Sequence, residues 1–357
     1  MRTRVCSLHG AHDVHVETQD VAEPGPGQVL VAIGAGGICG SDLHYYHDGG
    51  FGTVRVQEPI ILGHEAAGTV MALGAEVSDL TIGEKVAVNP SRPCGACEYC
   101  VQGLEMHCTD MHFSGSAMRM PHEQGLFRDR IVVEAAQCYP VTGDVTLSEA
   151  ACSEPLAVCL HARSLAGDLR DKRVLITGAG PIGVLCAAVA AEAGAAEVVV
   201  TDLQYQPLSV ARQMGATDTI NVATEGARLE TYTHGKGHFD VAFECSAAAP
   251  ALASALSALR PRGTLVQVGV TGNMSLPLNV LVGKEITHRG SFRFHAEFAQ
   301  AVAAISTRRI DVRPMISAQI PLERITEALD LAGDRTRAVK VHVTFAGQDE
   351  TQALTHR

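Results

Sequence analysis

At 357 residues, with 46% hydrophobic and 19% charged side chains, the chain is long enough for two domains with separate cores and too apolar to be disordered. Its 28 basic and 39 acidic residues give a net charge of −11 with no basic cluster, which argues against nucleic-acid binding. The start, Met1-Arg-Thr-Arg-Val-Cys6-Ser, lacks the apolar core and cleavage site of a signal peptide, and runs such as Gly183 to Gly194 are too short or too rich in Ala and Gly to span a bilayer. A cytoplasmic chain is therefore expected, with no membrane or nucleic-acid partner, whose 11 cysteines suggest metal or catalytic roles before disulfides.

In chain order, Val14-His-Val16, a turn at Pro24-Gly-Pro26-Gly27 and the run Val29-Leu-Val-Ala-Ile33 read as short strands. Next come Ile38-Cys39-Gly-Ser41-Asp42-Leu-His44-Tyr45-Tyr-His47 and Leu62-Gly63-His64-Glu65-Ala-Ala-Gly68. Within about thirty residues they gather a thiol, an imidazole and a carboxylate, the usual zinc donors. A hydroxyl and further imidazoles there could carry a proton away. More β-like runs follow at Gly68 to Leu73, Lys85 to Val88 and Asp129 to Val133, which suits a barrel-like β domain carrying loops.

Inside that region Cys94-Gly-Ala-Cys97-Glu-Tyr-Cys100 and Cys108 have C-x2-C-x2-C-x7-C spacing. Four thiolates close a tetrahedral zinc site and leave no open position, so a structural zinc is expected, with an iron–sulfur centre as the chemical rival. Cys39 and His64 lack such a fourth-thiol pattern. A further candidate donor for them lies in Ala151-Cys152-Ser153-Glu154-Pro155. Open zinc sites of this kind polarise an alcohol oxygen.

Composition changes near Glu149. Arg173 to Thr177 reads as a strand, Gly178-Ala-Gly180-Pro181-Ile182-Gly183 as a glycine turn opening an Ala-rich helix, and Glu197 to Asp202 as the next strand. Phe239 to Phe243 and Gly263 to Gly269 continue the pattern, with helices near 206–214 and 250–259 between strands. Such alternation predicts a doubly wound parallel sheet. The glycine turn follows a strand and starts a helix, the context in which free amides bind a diphosphate. Asp202 lies nineteen residues beyond Gly183, where a carboxylate binds ribose hydroxyls and repels a 2′-phosphate, so NAD is favoured over NADP. The tail reads as a helix at 296–307 and a strand at Lys340-Val-His-Val-Thr344.

Taken together, Cys39-Gly-Ser41-Asp42-Leu-His44, Gly63-His64-Glu65, the four-cysteine lobe, the glycine turn and Asp202 resemble the zinc-dependent medium-chain dehydrogenases over nearly the whole chain. The resemblance implies an α/β architecture: a β-rich GroES-like catalytic domain over residues 1–150, including the lobe 94–108 and completed by 292–357, and a Rossmann-type domain over 151–291. Ser153-Glu154-Pro155 stands where simple alcohol dehydrogenases usually carry a third zinc-binding cysteine, which points to the polyol (sorbitol) dehydrogenase branch. There Cys39, His64 and Glu65 would hold the catalytic zinc with Glu154 close by. Ser41 and His44 would relay a proton, Tyr45 and Arg293 (in Ser291-Phe292-Arg293-Phe294) would meet substrate hydroxyls, and Val270, Phe292, Arg293 and Lys340 would add cofactor contacts. Asp42 would orient a zinc ligand.

The segments His44 to Arg55 and Gly115-Ser-Ala-Met-Arg119-Met-Pro-His122 resemble the sugar-acid (L-idonate) group of that branch. This implies hydride transfer between NAD and a secondary alcohol of L-idonate, giving 5-ketogluconate, in a homotetramer. Arg55 and Arg119 are then candidate partners for the carboxylate. A sorbitol or xylitol-type enzyme acting on neutral polyols is the alternative, and a non-catalytic zinc protein the remote one. Gln204, Tyr205 and Gln206 replace the arginine that often packs on adenine near Pro207, which keeps NADP open.

Overall fold

The computed structural model describes residues 1–270 and 272–345. Two large sheets organise it. In the first, neighbouring strands run in the order Cys138–Pro140, Lys85–Val88, Glu65–Leu73, Gln28–Gly37, Lys340–Thr344 and Ile316–Pro321, and Arg130–Glu134 also pairs with Gln28–Gly37. Most of these pairings are antiparallel, and the last two strands are parallel. The strand Gln28–Gly37 is buried on both faces along nearly its whole length, which explains its unbroken apolar run where an alternating one would suit a half-exposed strand.

The second sheet is parallel throughout, in the order Asp218–Asn221, Glu197–Asp202, Arg173–Thr177, Phe239–Glu244, Leu259–Gln267 and Thr287–Gly290. This is the doubly wound arrangement expected from the alternation of strands and helices. Its order reverses beside Arg173–Thr177, so the crevice at that strand's carboxyl end is where a dinucleotide binds. The strand is followed by the helix Pro181–Glu192, capped by Gly180, with Pro at the position where a missing N–H costs nothing. A side chain on Gly183 would place Cβ 1.8 Å from the carbonyl oxygen of Gly178, so only glycine lets the helix pack on the turn.

The sequence-based strand at 263–269 begins earlier, at Leu259, and ends at Gln267. Here an irregular register between Phe239 and Val241 accommodates the stretch Arg260 to Gly263. The helices Gly40–Asp48 and Ser153–Ala166 carry site residues, and the helix Glu297–Ser306 matches the expected 296–307. Phe294, Phe298 and Ile305 pack into a core shared with Val174, Ile176 and Leu156, while the closing strand joins the first sheet. Among the described residues no helix is long and apolar enough to cross a membrane.

Candidate active site and metal centres

Cys39 caps the helix Gly40–Asp48 where the strand Gln28–Gly37 runs out, and His64 precedes the neighbouring strand Glu65–Leu73. Asp42, fully buried, ties these two segments together: its Oδ2 accepts from the Cys39 N–H at 2.9 Å and its Oδ1 from the Gly63 N–H at 3.1 Å. Its Oδ1 lies 3.9 Å from His64 Nδ1, an ion-pair separation too long for a hydrogen bond. With this framing, donor atoms of Cys39, His64 and Glu65 all lie within 4.8 Å of one another. A Cβ on Gly37 would fall 2.1 Å from Glu65 Oε2, so that glycine makes room for the carboxylate.

Glu154 enters from the helix Ser153–Ala166 and is buried at 5% exposure. Burial pushes its carboxyl up to about 7, against the pull of His64. Burial opposes protonation of His64, but the Cys39 sulfur and Asp42 outweigh it and draw the imidazole up to about 10. A half-buried thiol with a buried imidazole and two buried carboxylates makes an acid-rich pocket that favours a cation, and they match the donors zinc prefers. The residues fit a catalytic zinc.

Lys340 does not follow the expectation of a cofactor contact. The closing strand pairs with Gln28–Gly37 and aims the side chain inward, where only 1% is exposed. Its Nζ donates to both Glu65 oxygens, at 2.8 and 2.7 Å, and to Ile38 O at 3.0 Å. No exposed donor remains for a diphosphate. The cation standing over the glycine turn is Arg335, whose Nη1 would be 3.1 Å from a Cβ on Gly180.

The remaining expected residues divide between centre and rim. Ser41 is half-buried on the first turn of its helix, while His44 is exposed with Nδ1 3.1 Å from Asp48 Oδ2. Tyr45 is buried, and its hydroxyl accepts from the Ala117 N–H at 3.2 Å. Phe292 is 42% exposed and stacks on His107 of the cysteine lobe at 5.8 Å. Arg293 lies with its guanidinium carbon 4.0 Å from the Phe113 ring centre, and Phe113 in turn packs 5.6 Å from the His64 ring. Val270 is exposed just past the strand Leu259–Gln267.

Asp202 Oδ2 accepts from the Ala179 N–H at 2.7 Å, and Oδ1 from Leu203 and Gln204 N–H groups at 2.7 and 2.9 Å. The aspartate thus shapes the glycine turn while lining a cavity of about 790 Å³ with Thr177, Gly178, Gln204 and Arg335. That cavity, at the carboxyl ends of parallel strands and beside a helix N-terminus, fits a dinucleotide.

The sulfurs of Cys94, Cys97, Cys100 and Cys108 form the second centre. Cys97 and Cys100 Sγ are 3.5 Å apart, and Cys94 and Cys100 Sγ 4.0 Å. Sulfurs about 2.3 Å from one tetrahedral zinc would stand about 3.8 Å apart, so the residues fit. N–H groups of Ala96 and Cys97 point at Cys94 Sγ and pull that thiol below its ordinary value. Donors aimed at sulfur are what a bound thiolate needs.

Sequence reasoning missed Phe113, Arg335 and the Lys340–Glu65 contact. Arg335 had a weak signal, the basic run Arg335-Thr-Arg337 after the last helix; Phe113 had none.

An alcohol dehydrogenase GroES-like domain matches residues 25–143 and a zinc-binding dehydrogenase domain residues 181–307. The chain belongs to the zinc-dependent medium-chain dehydrogenases, enzymes that use NAD(P) to oxidise CH–OH groups. It is 42% identical to L-idonate 5-dehydrogenase (NAD(P)(+)) of Escherichia coli K-12, over 97% of this chain and 99% of that one. The crystal structure of that E. coli enzyme superposes with a TM-score of 0.93 over the same shares. Sorbitol dehydrogenase of Bacillus subtilis is 34% identical over 91% of this chain and 92% of that one. A zinc-binding dehydrogenase from Sinorhizobium meliloti, solved with NADP, is 28% identical with a TM-score of 0.87, covering 96% of this chain and 99% of that one.

Proposed function

We propose that the chain oxidises the C5 hydroxyl of L-idonate to 5-ketogluconate, reversibly, with NAD preferred over NADP. The observation that carries this reading is the full-length similarity to an L-idonate 5-dehydrogenase. Cys39, His64 and Glu65, with Glu154 adjacent, hold the catalytic zinc; Cys94, Cys97, Cys100 and Cys108 hold the structural one. Bound together, zinc and the nicotinamide supply a Lewis acid for the hydroxyl oxygen and an acceptor for the hydride.

The side chains do the rest. Ser41 hydrogen-bonds the reacting hydroxyl and takes up its proton, which His44, exposed at the rim, passes to water. Tyr45 and Arg293 line the substrate's path and orient it. Gly178, Gly180, Pro181, Ile182 and Gly183 present amides to the diphosphate, Asp202 binds the ribose, and Val270 and Phe292 flank the cofactor. The division into 1–150 with 292–357 and 151–291 is part of the reading, supported by the sheet to which each strand belongs. Assembly as a cytoplasmic homotetramer is carried over from the family.

NADH formation from L-idonate, sorbitol and xylitol, with and without a zinc chelator, tests the proposal. L-idonate should have the highest kcat/KM, and chelation should abolish turnover. A higher value for sorbitol would move the enzyme to the neutral polyol dehydrogenases.

A further inference from the structure

Six carboxylates are buried among the described residues, and five of them face a cation or the metal donors. Glu65 is held by Lys340, Asp129 by Arg4 and Glu149 by Arg308, while Asp42 and Glu154 face His64 in the catalytic cluster. Glu244 is the exception. It is 0% exposed at the end of the strand Phe239–Glu244, and among the described residues no lysine, arginine or histidine stands within ion-pair distance of it.

Its neighbours compensate with hydrogen-bond donors alone. Oε1 accepts from the Ser246 N–H at 2.9 Å, from the Thr177 hydroxyl at 3.3 Å and from the Ser246 hydroxyl. Oε2 accepts from the Ala247 N–H at 3.2 Å and from the Gln267 amide. Five donors and no acceptor suit a carboxylate, which only accepts. The network reaches the cofactor crevice, because Ser246 lines the large cavity and a Cβ on Gly178 would fall 2.9 Å from Ser246 Cα. Ala247 is held left-handed at φ +56, a strained backbone for a residue with a side chain, so Glu244 fixes a turn that would not hold its own shape.

Burying a charge without a counter-ion is costly, so where it lies matters. Glu197–Asp202 flanks the glycine turn's strand on one side and Phe239–Glu244 on the other. With adenosine on the Asp202 side, as read above, the other half of the dinucleotide crosses the carboxyl ends of Phe239–Glu244 and Leu259–Gln267. That half ends in nicotinamide, the part of the cofactor whose charge changes in the reaction: cationic when oxidised, neutral when reduced.

We propose that Glu244 is a fixed negative charge beneath the nicotinamide half of the cofactor, acting through space to favour the oxidised ring over the reduced one. The inference needs only a nicotinamide dinucleotide and holds whichever alcohol is oxidised. A unit charge even about 12 Å away, through an effective dielectric of about 20, biases the two forms by about tenfold. The diphosphate carries the same charge in both forms, so the ratio of their dissociation constants isolates the ring.

The test is calorimetric binding of NAD and of NADH to zinc-loaded protein without substrate, in wild type, Glu244→Gln, Glu244→Asp and Gln267→Lys. Glu244→Gln should raise the dissociation constant of NAD relative to that of NADH by about tenfold. Gln267→Lys leaves the carboxylate in place and brings an ammonium to the oxygen that the amide held, so it should shift the ratio in the same direction. Glu244→Asp keeps the charge and shortens its reach; both constants should rise together, with the ratio within about threefold of wild type. Melting curves establish which variants are folded, and Gln267→Lys decides if Glu244→Gln is not. A folded Glu244→Gln or Gln267→Lys form whose two constants change in the same proportion reduces Glu244 to a brace for its turn and overturns the proposal. A Glu244→Asp form that shifts the ratio as far as Glu244→Gln overturns it too, since the charge is then not the cause.

Discussion

Replacing Lys340 by Met examines the buried pair beneath the catalytic centre. Lys340 and Glu65 are each 1% exposed, and the ammonium holds both carboxylate oxygens. Removing one partner of such a pair leaves an uncompensated charge and costs about 3–5 kcal/mol. At about 2–4 °C per kcal/mol for chains of 150–250 residues, and less for longer ones, the melting temperature of zinc-free protein should fall by roughly 5–15 °C. Zinc bound beside Glu65 supplies another cation, so the loss should be smaller in zinc-loaded protein. Burial works against the charged ammonium, but Glu65 outweighs it and holds Lys340 above its ordinary 10.5. The folded pKa is raised, so the stabilisation is full below 10.5 and is lost only as pH climbs through the higher folded value. The difference between wild type and variant should therefore be flat across neutral pH. Differential scanning fluorimetry with and without chelator, at one scan rate, measures all of this. Adding Glu65→Gln in zinc-free protein should restore part of the loss, because the orphaned charge is gone. A fall below about 2 °C in the chelated protein, or a double variant worse than the sum of the singles, would refute the picture of Lys340 as Glu65's buried counter-ion.

Two further outcomes follow from the other elements of the site. Asp202→Ala removes the acceptor for the Ala179 N–H and the carboxylate proposed to meet the ribose, so KM for NAD should rise at least about tenfold, with NADP hurt less. Fluorescence titration with NADH and NADPH measures the two affinities. Cys100→Ser should reduce zinc from two to one per chain by elemental analysis and expose the lobe 94–108 to proteolysis. Because Phe292 stacks on His107 and His295 lies 3.1 Å from Glu105, that variant should also weaken substrate binding through the 292–295 segment.

The four-cysteine centre was legible because its ligands lie within one short loop, so spacing alone nearly determines geometry. The Rossmann half was legible for a related reason. Parallel strands buried on both faces read as unbroken apolar runs, and Arg173–Thr177 and Glu197–Asp202 stand where those runs stand. The edge strand Thr287–Gly290 was not legible, since all four of its residues are exposed and no apolar pattern marks them. Lys340 was misread because its meaning depends on a partner 275 residues away, brought close only by the pairing of the closing strand with Gln28–Gly37. Arg293 carried its motif in sequence, but its place over Phe113 and the pairing of Arg119 with Asp110 show only in the folded chain.

The charge balance of the site links these observations. Asp42, Glu65 and Glu154, with the Cys39 thiol, surround His64, so a pocket built to draw in a cation is by itself hostile to an anionic substrate. Lys340 cannot relieve this for the substrate, because Glu65 already takes both its charge and its donors. An aldonate therefore needs a cation outside this cluster to meet its carboxylate. Arg293 lies over Phe113, which packs on His64, and it feels the charge of Glu154, so it is coupled to this cluster. Glu154 and Arg293 also act on each other, the carboxylate favouring the charged guanidinium and the guanidinium favouring the charged carboxylate, so the charge balance extends past Phe113.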